Sequence, residues 1–314
     1  MSKYQIESKC PACASGEAML VSTRDRRGEP LRTVACLGCG LYRNDPLPTI
    51  DELKAFHELE YRESYKGVRG PKARNVFRSA KLAVARLKDL RKRFPAGSKV
   101  LDVGSGSGEM LCALQAGGYE VTGIEADGVY AEYARRQYGV DVRVGGVLDV
   151  ELPAGGFDCM TMFHVLEHQP EPVAVLVQMR EWLTEGGLLL VEVPNLDSPH
   201  QHPGRRFHYA HVMGFTPASL RLVAQKAGFQ VLESGLSSFD RNLFVFLKKS
   251  SNVPLDRVVP EKPIPSDAAQ VILYHLRPTT YVRWVLRMAQ FASELLGLKN
   301  SGDTRQWISA EVGK

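Results

Sequence analysis

A short apolar run, Val100-Leu101-Asp102-Val103, passes straight into Gly104-Ser105-Gly106-Ser107-Gly108 and then into a helical pattern that begins near Met110. No other stretch restricts the fold so tightly. A strand that ends in closely spaced glycines and turns into a helix is the opening crossover of an open parallel sheet. The glycines let the backbone adopt conformations, and approach a ligand at distances, that a side chain would forbid. The rest of the chain agrees with that start. Strand patterns recur at Lys99 to Val103, Glu120 to Glu125, Val140 to Val144, Phe157 to Phe163 and Gly187 to Val193, with helical stretches near Met110 to Ala116, Val129 to Tyr138 and Val173 to Leu183 between them. The expected fold is α/β, an open, mostly parallel sheet whose ligands lie beyond the carboxyl ends of its strands.

The loop's spacing narrows its ligand. Gly104-x-Gly106-x-Gly108 is followed by Glu109, where a dinucleotide fingerprint wants its third glycine. Asp102 precedes the loop, and a carboxylate there would face a pyrophosphate with like charge. S-adenosylmethionine (SAM) has no phosphate and carries an ammonium and a sulfonium, so an acidic loop suits it. Glu125, 21 positions after Gly104 and followed by Ala126, ends the second strand. An acid there accepts hydrogen bonds from ribose hydroxyls, which SAM shares with NAD.

Two Cys-x-x-Cys knuckles, Cys10-Pro11-Ala12-Cys13 and Cys36-Leu37-Gly38-Cys39, stand 22 residues apart. Each aims two thiolates at one point, and together they complete the four-sulfur shell of a closed structural zinc site. Ala18 to Ser22 and Leu31 to Ala35 read as short strands around the turn Asp25-Arg26-Arg27-Gly28, which makes a zinc ribbon. A redox pair is the weaker alternative, because no thioredoxin-like pattern surrounds either knuckle. Arg24, Arg26 and Arg27 at the ribbon's tip read as solvated surface, or as a grip on nucleic acid.

These features together resemble class I SAM-dependent methyltransferases with an N-terminal zinc ribbon, a group often associated with polysaccharide biosynthesis. The resemblance also rests on Gly146-Val147-Leu148-Asp149, Phe157-Asp158, Phe163-His164-Val165-Leu166-Glu167-His168 and Phe215-Thr216-Pro217-Ala218-Ser219-Leu220. It implies a Rossmann-like, mostly parallel seven-stranded sheet, with Asp102 near the methionine ammonium and Gly104, Ser105 and Gly106 against the methionine and ribose. It places Glu125 and Ala126 at the ribose, Val147 and Leu148 at the adenine, and Phe163 and His164 at the methionine end. Tyr61 and Tyr65 fall where related chains have a segment that closes over the cofactor.

Methyl transfer from a sulfonium is an in-line displacement of an already activated group, so positioning the acceptor is the main task. A hydroxyl acceptor must also lose its proton. The candidates are His164 at a strand end, His168 four places on, and His211 before the Phe215-Thr216-Pro217 helix start. Glu167 with His168 suggests a metal pair, but neighbours in sequence point in different directions on a helix, so no metal is expected there. His200, His202, His208 and His211 lack paired ligand spacing and read as a substrate-facing loop, with Arg205 and Arg206 available for a carboxylate or phosphate.

The division expected is a zinc ribbon over 1–45, linker and N-terminal helices over 46–97, a SAM-binding core over 98–249, and a helical insertion with a closing strand over 250–314. Thr49 and Glu52 fit a capping box. Lys72 to Arg93 reads as an amphipathic helix burying Val76, Phe77, Ala80, Val84, Leu87 and Leu90. In the last region, Tyr281 to Leu296 is apolar on most sides, which calls for its own core, a second subunit or a membrane interface. Trp307 to Val312 reads as the closing strand.

Net charge is +5 from 40 basic and 35 acidic residues, too mild to imply nucleic acid. Met1 to Glu7 has no signal-peptide core and no run approaches a membrane span, so the expected location is cytoplasmic, with the inner membrane face as the alternative. The reading is an enzyme that methylates a glycan, glycolipid or other small molecule, on oxygen. The rival readings are an RNA methyltransferase docked through the ribbon and a noncatalytic scaffold.

Overall fold

The computed structural model describes residues 5–56, 70–196, 202–237, 242–251, 253, 268–282, 285, 288 and 303–314. In chain order the N-terminal elements are β1 (Ala18–Arg24), β2 (Pro30–Cys36), β3 (Tyr42–Asn44), α1 (Ile50–Ala55) and α2 (Ala73–Leu90). The central ones are β4 (Lys99–Val103), α3 (Glu109–Ala116), β5 (Glu120–Glu125), α4 (Gly128–Tyr138), β6 (Asp141–Val144), β7 (Phe157–Phe163), α5 (Pro172–Trp182) and β8 (Leu183–Val193). Then come β9 (Met213–Gly214), α6 (Pro217–Lys226), β10 (Phe229–Leu236), β11 (Leu243–Lys249), α7 (Ala268–Leu276) and α8 (Thr304–Val312). The strands form a four-stranded sheet ordered β1-β2-β3-β9 and a seven-stranded sheet ordered β10-β11-β8-β7-β4-β5-β6. The expected seven-stranded Rossmann-like sheet is present.

Two compact units divide the chain: Met1–Tyr61, Phe163–Arg180 and Leu190–Arg283 in one, and Arg62–Met162, Glu181–Leu189 and Trp284–Lys314 in the other. In the second unit β4 lies between β5 and β7, all parallel, and β6 extends the sheet beyond β5. Both sheet faces are covered, so β4 is buried from Val100 to Val103, as a central parallel strand must be. Helix α2 buries Val76, Phe77, Ala80, Val84, Leu87 and Leu90, the stripe its periodicity predicts, and leaves Lys and Arg outside. Asp127 caps α4 by accepting from the amides of Val129 and Tyr130, and left-handed Gly139 ends it.

One expectation fails in this unit. Trp307 to Val312 is not a strand; it belongs to helix α8. Asp303 accepts from the Arg305 amide to start the helix, and Ile308 and Val312, four apart, are its buried residues. Trp307 meets the Phe77 ring edge-on at 5.1 Å. The apolar spacing is that of a helix face, which a search for a closing strand overlooked. Helices after residue 250 are therefore not an insertion ahead of a last strand.

In the first unit β1 and β2 form the ribbon's antiparallel hairpin, and β3 pairs with β2. The ribbon's sheet does not stop at residue 45: β9 adds a fourth strand, pairing Tyr42 with Gly214 and Arg43 with Met213. Val21, Ala35, Tyr42, Leu196 and Phe207 make one buried cluster beneath it. A two-residue strand inside a loop offers too short a pattern to be found from sequence. The antiparallel β10-β11 hairpin belongs to the same unit, and Thr216 and Ser219 build a capping box at α6 with Pro217 in the first turn. Thr49 and Glu52 make the capping box expected at α1.

Tyr61, Tyr65 and His200 lie outside the described residues, as does most of 281–296. Of that stretch Tyr281, Val282, Val285 and Met288 are described and all are exposed. Among the described residues no helix is long and apolar enough to cross a membrane.

Candidate active site and metal centre

The glycine loop is built by backbone geometry. Gly104, Gly106 and Gly108 all have positive φ, at 75°, 55° and 92°. The amides of Gly104 and Ser105 both donate to the Ile124 carbonyl, at 2.8 and 2.9 Å, which folds the loop back over the end of β5. Gly108 caps α3 in the left-handed conformation, and a Cβ there would stand 2.6 Å from that of Ala134. Gly108 is thus needed for packing, whereas a Cβ on Gly106 would meet nothing within 4 Å. Gly106 faces open space, the property a ligand cradle requires.

Under this loop Asp102 is 3% exposed and its carboxylate accepts from the Thr161 hydroxyl at 2.6 Å. Burial pushes its pKa up to about 7; Thr161 and Arg86 oppose the rise and Glu125 adds to it. Desolvation thus leaves this carboxylate near half-ionised at neutral pH. Glu125 is tied at both oxygens: Oε2 accepts from the Gly106 amide at 2.8 Å and Oε1 from the Asp127 amide at 2.9 Å. Ser105 is buried and its Oγ has no hydrogen-bond partner. Val147 is buried, Ala126 is exposed, and Leu148 is 43% exposed.

Glu109 has its own explanation. It is 4% exposed and accepts from the Ser107 hydroxyl at 2.9 Å and the Tyr138 hydroxyl at 3.3 Å. Burial raises it to about 7 as well, against those two donors. A third fingerprint glycine is absent because this position braces α3 against α4.

The four ribbon sulfurs converge. Cys10 and Cys39 Sγ lie 3.6 Å apart, Cys13 and Cys36 Sγ 3.4 Å, and all four ligand atoms lie within 4.8 Å of one another. Tetrahedral zinc with bonds of about 2.3 Å holds its sulfurs about 3.8 Å apart, so the donor set and its spacing fit that ion. The Gly38 amide donates to Cys36 Sγ at 3.3 Å, the outer support usual for a metal thiolate.

The histidines predicted to be catalytic also come together, within the first unit. Strand β7 runs into His164, which has a φ of 57°, rare for a residue with a side chain. His164 Nδ1 is 3.4 Å from Glu167 Oε1 and Nε2 is 3.4 Å from Glu192 Oε1. Asn242 Nδ2 lies 3.0 Å from His164 Nε2 and donates to Glu192 at 3.1 Å. Desolvation lowers the His164 pKa, but the two carboxylates outweigh it and carry it up to about 9. His164 is therefore a cation at neutral pH.

His168 sits in the 3₁₀ turn Leu166–His168, and its Nδ1 is 2.6 Å from the Ala210 carbonyl. His211 packs its ring 4.8 Å from that of His168 and 3.8 Å from that of His208. Burial, with His168 and His208 next, holds the His211 pKa well below its usual range, so this imidazole is neutral. Glu167 lies between His164 and His168, 1% exposed, with its Oε1 3.9 Å from His168 Nε2. The expectation that Glu167 and His168 diverge was wrong: they occupy a tight 3₁₀ turn, not an α-helix, and both reach the same point. His202 stands apart, its ring 5.0 Å from Tyr274. Arg205 is exposed, while Arg206 is buried and lines a small cavity with Arg43, Asn44 and His211.

Glu192 and Asn242 were missed. A usable signal existed for Glu192, since a carboxylate on the otherwise apolar stretch Leu188 to Val193 needs a buried partner. Asn242 gave none.

A family model described as a methyltransferase domain matches residues 73–234, just over half of the chain. The chain is 36% identical over 107 residues to the ubiquinone biosynthesis O-methyltransferase of Xanthomonas axonopodis pv. citri, covering 32% of this chain and 45% of that protein. To the protein of the same name from Xylella fastidiosa it is 36% identical over 118 residues, covering 35% and 48%. The chain spans about half the length of the curated relatives it matches. Among solved structures it is similar to the Burkholderia thailandensis 1,6-didemethyltoxoflavin-N1-methyltransferase with bound 1,6-didemethyltoxoflavin and S-adenosylhomocysteine. There the TM-score is 0.51 at 19% identity, over 70% of this chain and 96% of that one. A chain from the complex of the Haloferax volcanii Trm112 methyltransferase activator with a methyltransferase gives 0.50 at 17% identity, over 63% and 96%. At these identities the two structures show the fold alone.

Proposed function

The chain belongs to the methyltransferase-domain family, and from that premise we propose that it uses SAM to methylate a small-molecule acceptor on oxygen. The observation that carries this reading is Asp102: a buried carboxylate under an open glycine loop, with a hydroxyl as its hydrogen-bond partner. SAM bound there supplies an activated methyl on a sulfonium. Asp102 receives the methionine ammonium, and Glu125, already fixing Gly106 and Asp127, receives the ribose hydroxyls. Gly104, Ser105, Gly106 and Ala126 line the cradle, and Val147 and Leu148 flank the adenine.

Catalysis rests on positioning, with a proton to remove from the acceptor hydroxyl. His164, charged between Glu167 and Glu192, orients the acceptor oxygen. His168 and His211 are the imidazoles left with a lone pair for that proton or for an ion. Cys10, Cys13, Cys36 and Cys39 hold a structural zinc whose four thiolates leave it no open position.

For the acceptor, the relatives' printed name supports oxygen as the atom methylated. A glycan or glycolipid rests on the sequence resemblance alone, and the relatives lend it nothing. The test is an assay with methyl-labelled SAM against extracts containing glycans, lipids and RNA. Label is expected in a small molecule or glycan, and its incorporation at limiting SAM should fall with Asp102→Asn. Label in RNA would overturn the acceptor assignment, and absence of SAM binding by calorimetry would overturn the activity.

A further inference from the structure

The cluster around Glu167 contains more than a pair of candidate bases. Glu167 is 1% exposed, yet neither of its carboxylate oxygens has a hydrogen-bond partner. Leaving such oxygens without a donor in the interior costs free energy, and a buried carboxylate is retained where it is paired or coordinates a metal. His164 Nδ1 pairs with Oε1 as an ion pair at 3.4 Å, and Oε2 is left without a hydrogen-bond partner. Two further imidazoles, His168 and His211, face the same carboxylate, and one ligand atom from each of the three residues falls within 4.8 Å of the others.

We propose that Glu167, His168 and His211 form a binding site for one divalent transition-metal ion, separate from the four ribbon cysteines. Three observations support it independently of one another. The ligand set is two imidazoles and one carboxylate, the combination that binds zinc or iron(II) and leaves further coordination positions open. The tautomer of His168 is set for it: with Nδ1 donating its proton to the Ala210 carbonyl at 2.6 Å, the lone pair rests on Nε2, the nitrogen on the Glu167 side. Such a donated N–H is the usual outer support of a ligating histidine. Lastly, the ligands come from different segments held by structure. Leu166–His168 is a 3₁₀ turn, and His211 is fixed by the hydrogen bond its backbone N–H donates to the His208 carbonyl at 3.1 Å and by the tilted contact of its ring with that of His208 at 3.8 Å.

The spacing requires a small adjustment. Donor atoms about 2.0–2.2 Å from a four-coordinate ion lie about 3.4 Å apart, against 3.9 Å between Glu167 Oε1 and His168 Nε2. Side-chain rotation of a few tenths of an ångström closes that pair. The site stands whether or not the chain transfers methyl groups.

The ribbon cysteines provide an internal reference for the test. The full-length, reduced, metal-free protein is dialysed against cobalt(II), and bound cobalt is counted by elemental analysis while the spectrum is recorded. Cobalt at the thiolates gives intense near-ultraviolet sulfur-to-metal charge transfer; cobalt at nitrogen and oxygen gives none. The wild type should bind one cobalt more than the charge-transfer band accounts for. Glu167→Gln, nearly the same shape, and His211→Gln should each lose that extra equivalent, with the thiolate band and far-ultraviolet circular dichroism unchanged as evidence of folding. If every bound cobalt in the wild type is thiolate cobalt, the site does not exist. Retention of the extra equivalent by both variants would equally rule it out. Should either variant fail to fold, the wild-type count alone still decides.

Discussion

The glycine loop and the histidine cluster both gather buried acids, but they are assembled in opposite ways. The loop runs through consecutive residues, Asp102 to Glu109, and its backbone is held at the end of β5, by the Ile124 carbonyl at Gly104 and Ser105 and by Glu125 at Gly106. The cluster draws on His164 to His168, on Glu192, on His208 to His211 and on Asn242. In the first, backbone conformation does the positioning and each glycine leaves a mark in the sequence. In the second, side chains from four segments position one another. Damage should therefore show in different observables. The loop should lose packing or cofactor affinity one residue at a time, whereas the cluster should lose its charge arrangement and spare the loop.

The largest effect is expected at Gly108. Its φ of 92° disfavours any L side chain, and an added Cβ would stand 2.6 Å from the Ala134 Cβ. Left-handed strain of about 1–2 kcal/mol and overpacking of a similar size should together cost Gly108→Ala about 3 kcal/mol, read from urea unfolding. Gly106→Ala, at a φ of 55° with open space around it, should cost only the strain, about 1 kcal/mol. Equal losses at the two positions would mean that the loop is a uniform flexible turn and not a packing position beside a ligand position.

Next comes Asp102→Asn. Removing the charge from a charge-assisted hydrogen bond should weaken SAM by about 30-fold, roughly 2 kcal/mol, in calorimetry. The pH dependence carries a sign. The carboxyl ionises near 3.9 in the unfolded chain and, pushed up by burial, near about 7 in the folded protein. Between those values the folded state holds the extra proton, so the stability of the free protein falls as pH rises, and the fall ends above about 7. An ammonium ligand binds the ionised form, so SAM affinity should fall as pH drops below about 7, approaching tenfold per pH unit. Asp102→Asn should flatten that limb of the affinity profile. A variant profile parallel to the wild type would place the ammonium elsewhere.

How much of this could be read beforehand follows the same division. The parallel sheet, the loop, Asp102, Glu125 and the four cysteines were legible, because each depends on local spacing or on a strand end with a fixed consequence. Val76, Phe77, Ala80, Val84, Leu87 and Leu90 were legible as a helical stripe for the same reason. The strand β9 was not, because its pairing with β3 joins residues about 170 positions apart through two residues of chain. Trp307 to Val312 was misread because a short apolar run does not declare its period, and only the Asp303 cap separates helix from strand. At the histidine cluster the three imidazoles were found by type, but their charge states were not. His164 is a cation because Glu192 arrives from β8, and His211 is neutral because burial and its neighbouring histidines hold it so.

The smallest effect, and the sharpest contrast with the loop, is expected at Asn242. Its Nδ2 donates to Glu192 Oε1 at 3.1 Å and lies 3.0 Å from His164 Nε2. Asn242→Ala removes a hydrogen bond to a buried carboxylate, so Glu192 loses a donor and turns more fully to His164. Stability should fall by about 1 kcal/mol, the net worth of such a bond. The His164 pKa, followed by its imidazole proton resonances, should rise further from about 9, because a carboxylate with fewer donors is a stronger partner for the imidazolium. SAM affinity should change less than twofold, since Asn242 supports neither Asp102 nor Glu125. If SAM affinity instead falls as it does for Asp102→Asn, the cluster and the loop are one cooperative site and the division between them fails. If the His164 resonance does not move, Asn242 is a packing residue and the imidazolium is held by the carboxylates alone.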